Sequence, residues 1–151
     1  MNHLFTGEKP IANNFQLKER EYNMKISIEF FHDDFIKAIG AGVYEIIVSI
    51  GEKSKSLYIG ESVWIMVRCA THLFMLKNKP EYFGFTKDTI ERADITITFK
   101  LVEEIDNSIL RKSTEKELIA TRKPLSQSGI SDRQKSIDDK INALNQFINN
   151  H

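Results

Sequence analysis

Apolar and polar positions alternate with different periods along this chain, and the changes of period mark its elements. Residues 43–50, "VYEIIVSI", are rich in β-branched side chains and are bounded by the polar "GEKSKS", which leads into a second short run, "SLYIG", ending at Gly60. Two antiparallel strands joined by a hairpin loop follow from that pattern. Beyond Gly60, Ser62 stands where an N-cap would, and Val63, Met66, Val67, Ala70, Leu73 and Phe74 recur at i, i+3, i+4 and i+7 spacing. This predicts an amphipathic helix of about four turns with those residues as its apolar stripe. The cleanest strand is "DITITFKLV", in which Ile95, Ile97, Phe99 and Leu101 face one way while Thr96, Thr98 and Lys100 face the other.

Elsewhere the periods are shorter-lived. Residues 1–24 show turn residues without a sustained period and read as an extended arm. In "KISIEFFHDDFIKAIGAG", Ile26, Ile28 and Phe30 alternate, then Phe31, Phe35, Ile36 and Ile39 take helix-like spacing, so the segment is a strand, a helix, or one followed by the other. "KNKPEYFGFTKDTIERAD" is interrupted by Pro80 and Gly84. Ser113 or Thr114 caps a further helix through "EKELIAT", stopped by Pro124, and the tail spaces Ile137, Ile141, Leu144 and Ile148 as a helical stripe. The expected fold is α+β: a small three-stranded antiparallel or mixed sheet flanked by helices. A core over 41–130 carries an N-terminal extension, 1–40, and a C-terminal helix, 131–151, within one folded domain.

Composition narrows the function classes. A chain of 151 residues can bury one core. Cys69 is the lone cysteine, which excludes an internal disulfide and an all-cysteine zinc site. No apolar run approaches the roughly 20 residues that span a bilayer, and no basic-then-apolar leader opens the chain, so no membrane partner and a cytoplasmic location are expected. Lys plus Arg and Asp plus Glu are both 21, so any attraction to phosphates must come from local clustering.

Candidate chemistry starts on the first long helix. Arg68 and His72 are four residues apart and share a face, which is not the face of Val63, Val67, Ala70 and Phe74; Trp64 lies one turn earlier on the Arg/His side. A planar cation, an imidazole and an aromatic in a row suit a phosphate ester, and they equally suit a solvated helix face. Tyr44, alternating with Ile46 and Val48, fits either a functional hydroxyl or a half-buried strand tyrosine.

Gly42, Val43 and Tyr44, followed by Tyr58, Ile59 and Gly60, resemble the two halves of the signature that names the GIY-YIG nucleases. The resemblance continues with Arg68, ten residues after Tyr58, and with His72 beyond it; "EKELIATRKPLSQ" then supplies Glu115, Leu118, Ile119 and Pro124 at matching offsets. Gln127 stands where the family carries asparagine, a departure that keeps an amide on a longer arm. Over residues 41–128 the resemblance implies metal-dependent hydrolysis of DNA phosphodiesters. It implies Tyr44 as general base, Arg68 as the stabiliser of charge on phosphorus, and Tyr58 and His72 as hydrogen-bonding groups in the same pocket. Glu115 is implied as the ligand of one Mg²⁺ per active site, with Mn²⁺ able to substitute, and Gln127 as a support behind the pocket.

DNA is the expected partner. Trp64, Lys77, Lys79 and Arg92 are candidate contacts from the first helix and the interrupted segment, where Tyr82, Phe83 and Phe85 either meet bases or return to the core. Arg111, Lys112, Arg122 and Lys123 cluster around Glu115 and supply locally what the neutral total does not. A homodimer through the C-terminal helix or the N-terminal arm would set two sites on two strands, and the tail stripe equally fits packing on its own subunit. The contrasting class is a non-catalytic DNA-binding or protein-interaction module on the same scaffold.

Overall fold

The computed structural model describes residues 23–129 and 133–150; the expected arm over residues 1–24 lies almost wholly outside them. Strands β1 (Ser27–Phe30), β2 (Gly42–Ile50), β3 (Lys53–Ser62) and β4 (Ile95–Glu104) form one mixed sheet in the order β1-β4-β2-β3. Helices α1 (Ile65–Asn78), α2 (Lys87–Ile90), α3 (Ser108–Arg122) and α4 (Ile137–Asn149) surround it, with single 3₁₀ turns at Lys37–Ile39 and Pro80–Phe83. The fold is therefore α+β, but with four strands where three were expected. The extra strand, β1, comes from inside the stretch read as an extension and pairs parallel to β4, Ser27 opposite Thr96 and Phe30 opposite Phe99.

The central strand β2 pairs antiparallel on both sides, with β3 and with β4. Its hairpin to β3 is tighter than the polar run suggested: only Gly51 and Glu52 lie between the strands, and Gly51 takes a φ of 59°, the positive value that a two-residue hairpin turn demands. Two irregularities flank Tyr44. The register with β4 shifts between Val43 and Tyr44, and that with β3 shifts between Ile46 and Ile47. The second places an extra residue, Leu57, in β3, so that Leu57 and Tyr58, neighbours that a regular strand would send to opposite faces, both pack into the same core cluster.

One sheet face carries the main core, where Ile46, Val48, Ile97 and Phe99 meet Ile65, Cys69 and Leu76 of α1 and Leu144 and Ile148 of α4. On the other, Val43, Ile59, Ile105 and Ile119 form a smaller cluster under α3. That helix begins at Ser108, capped by the Asn107 side chain on Leu110 N–H at 2.9 Å, a full turn before the expected Ser113 or Thr114. The tail stripe is used within the chain: Leu144 and Ile148 are buried, and the Lys53 ammonium caps α4 by donating to the carbonyls of Phe147 at 2.7 Å, Ile148 at 3.3 Å and Asn150. Ile137, at the other end of that stripe, stays 50% exposed.

The orientation of α1 corrects the sequence reading. Its buried residues are Ile65, Cys69, His72 and Leu76, while Val63, Val67 and Phe74 of the expected core stripe face outward. Both sets repeat at spacings of four and three residues, so periodicity fits either. Packing selects the first: Ile65, Cys69 and Leu76 join the core cluster against the sheet, and His72 meets the Tyr44 hydroxyl. Nor does Ser62 cap the helix: it is the last residue of β3, and its hydroxyl accepts from Trp64 N–H at 3.0 Å. No helix among the described residues is long and apolar enough to cross a membrane.

Candidate active site

Tyr44 and Tyr58 project from neighbouring strands into the space beneath α1. Tyr44 is fully buried, and its hydroxyl lies 2.7 Å from His72 Nε2. Its ring stacks with that of Tyr58 at 6.3 Å and 22°, while the His72 ring sits 4.8 Å from Tyr58 and 5.7 Å from Phe83. Gly60 faces Tyr44 across the β2–β3 register, and a Cβ there would fall on the Tyr44 hydroxyl and ring edge. Glycine is thus required by the close approach of the phenol.

Burial sets the protonation of the pair. His72 is pushed down from an ordinary 6.5 to about 4, first by burial and then by the Arg68 charge, so at neutral pH it is an uncharged imidazole. The Tyr44 phenol is driven well above its ordinary value, mainly by burial; Tyr58, Cys69 and Glu115 push the same way, and Arg68 opposes them. Tyr44 therefore keeps its proton and shares a hydrogen bond with His72 Nε2, in which the phenol donates when the imidazole proton is on Nδ1. Arg68, exposed on α1, and Glu115, half-buried on α3, both act electrostatically on this phenol, while the side chains in mutual contact are Tyr44, Tyr58 and His72.

Gln127 takes a supporting position. It is buried, and its amide pairs with one residue of β3: Oε1 accepts from Ile59 N–H at 2.9 Å and Nε2 donates to Ile59 C=O at 2.8 Å. Leu125 N–H donates to Ser56 C=O and Ser126 N–H to Leu57 C=O, each at 3.0 Å, so the segment after α3 runs along the outer edge of β3 beside Tyr58.

The predicted DNA contacts divide. Trp64, Lys77, Lys79, Lys112 and Lys123 are exposed. Arg111 is not: it is 5% exposed and donates to Glu61 at 2.6 Å and to the carbonyls of Ile105 and Asp106 at 3.3 and 3.1 Å, which commits it to the interior. Arg122 is held by Glu45 at 2.6 Å and Arg92 by Asp94 at 2.7 and 2.9 Å. Phe83 and Phe85 are buried and so are withdrawn from base stacking. They return to the core because Gly84, at φ 89°, turns the chain against the Lys140 backbone.

Among the described residues no group of three or more His, Cys, Asp or Glu side chains is placed to hold a metal ion. A single hard carboxylate such as Glu115 fits only an ion that takes its remaining oxygens from water and a substrate phosphate, which is the habit of Mg²⁺. Cys69, buried against this centre, was missed in the sequence; the spacing Ile65, Cys69, His72, Leu76 was the signal for it. Comparison of the chain with protein-family models, with curated proteins and with solved structures finds no match.

Proposed function

We propose that this chain is a metal-dependent DNA endonuclease working on the GIY-YIG plan. The observation that carries the reading is the 2.7 Å contact of Tyr44 with a neutral His72, with Arg68 and Glu115 acting on the same hydroxyl. A water attacking phosphorus must lose a proton, and a phenol kept protonated by burial is a poor base by itself. Tyr44 can nevertheless accept that proton while passing its own to His72 Nε2, so no free phenolate forms. Arg68 offers donors to the non-bridging oxygens as charge builds on them. Glu115 is the residue that would hold Mg²⁺ or Mn²⁺, which supplies Lewis-acid stabilisation of the phosphate. Gln127 keeps β3, and with it Tyr58, in register.

The complete burial of Tyr44 favours a second reading, a non-catalytic module in which Tyr44 and His72 are a satisfied core pair. Cleavage of supercoiled plasmid with Mg²⁺ or Mn²⁺ separates the two. Loss of cleavage in both Glu115→Ala and Tyr44→Phe supports the nuclease. Equal cleavage by native and variant proteins overturns it, and no cleavage by any of them favours the module.

A further inference from the structure

The side of α1 turned away from the core exposes Val67, Ala70 and Phe74, together with the polar Arg68, Thr71 and Lys77. Val67, Ala70 and Phe74 follow one another at intervals of three and four residues, the spacing of a helix–helix seam, and Val67 and Phe74 are 67% and 63% exposed; Val63, 54% exposed, precedes the helix. Trp64 flanks the seam at 60% exposure, and the 3₁₀ turn at Lys37–Ile39, which packs against α1, adds Ile36 and Ile39 at 76% and 47%. With Phe35, at 52%, these side chains expose on the order of 700 Å² of apolar surface, taking ~150–250 Å² for each aromatic. That exceeds the ~300–600 Å² of the largest patch on a typical monomer and approaches the ~800 Å² that each partner contributes to a standard interface.

We infer that this face is where a second copy of the chain docks, through an antiparallel pairing of the two α1 helices about a two-fold axis. The seam is self-complementary in that arrangement. An axis midway between Val67 and Ala70 sets each Val67 against the other copy's Ala70, so a larger side chain meets a smaller one on both sides of the axis. Ala70, at the centre, lets the helix axes approach. Equal totals of 21 cationic and 21 anionic side chains leave no net repulsion between copies. The tail helix, the other apolar element, already packs on its own core. His72 lies on the opposite side of α1, and the inference holds whether or not the chain cleaves DNA.

Sedimentation of the full chain at tens of micromolar tests it. The native protein is expected at twice the chain mass, with Val67→Glu and Phe74→Glu weakening association by about 100-fold or more, since each interface would bury two unpaired carboxylates. Both side chains are exposed, so the variants should melt at the native temperature when measured as monomers. A monomeric native protein, or variants that still sediment as dimers, overturns the inference. So does a monomeric native protein that binds a DNA duplex and loses it in Val67→Glu, which would assign the face to nucleic acid.

Discussion

Replacing Gly60 with alanine tests how closely the candidate site is packed. Alanine is ordinarily the better strand residue by about 0.5–1 kcal/mol, and the backbone at Gly60 lies outside the left-handed region, so local propensity predicts a gain. The structure predicts a loss. The new methyl would fall on the Tyr44 ring edge and hydroxyl, and the ring, buried on all sides, can yield only by moving off His72. Overpacking of this kind costs about 1–3 kcal/mol and an unpaired buried ring nitrogen on His72 about as much again, for a net of about 3 kcal/mol. For a chain of this size, that lowers the thermal midpoint by roughly 6–12 °C. Circular dichroism melts of Gly60→Ala in the native and Tyr44→Leu backgrounds make the argument specific. Leucine lacks the ring atoms that collide, so there the added methyl enters vacant space and should cost nothing, a coupling of about 3 kcal/mol between neighbouring sites. A higher midpoint for Gly60→Ala, or an equal loss in both backgrounds, would refute the steric reasoning.

The depressed His72 predicts a pH dependence of stability. Between the ordinary 6.5 and the folded value of about 4 the unfolded chain binds the proton first, so stability falls as pH is lowered through that window and by about 3 kcal/mol in all. Urea midpoints at pH 7 and 4.5 should show the fall, and His72→Gln should flatten it. Gln127→Asn shortens the amide arm and cannot reach both groups of Ile59, so a loss of about 1–3 kcal/mol is expected from the same urea titration. Arg111→Ala strands the Glu61 carboxylate and two carbonyls, and should lower stability by about 2–3 kcal/mol while leaving the salt dependence of DNA binding unchanged, because the side chain points inward.

The strands β2, β3 and β4 were legible because each carries a sustained alternation or a β-branched run. So was the meeting of Tyr44, Tyr58 and His72, which came from resemblance rather than from periodicity. What periodicity could not decide was α1: two stripes with one spacing compete, and only the sheet it meets distinguishes them. Four residues of alternation are too few to declare β1 a strand, since its pairing with β4 lies nearly 70 positions away in sequence. Charge patterns misled in a similar way. Arg111 is one of several cations in a basic stretch, and its partner Glu61 is fifty positions distant, so nothing local marks it as inward-facing.

The segment that follows α3 has a consequence for how the protein behaves in a crowd. A sheet grows by recruiting chains at its rims, and this one offers little purchase at either: β1 is four residues long, and along β3 the groups of Ser56, Leu57 and Ile59 are already taken by Leu125, Ser126 and the Gln127 amide. Gln127 thus acts as a selvedge, finishing the woven edge so that it does not pick up stray threads. Loss of that amide should be felt as polymerisation at high concentration as well as in the melting curve.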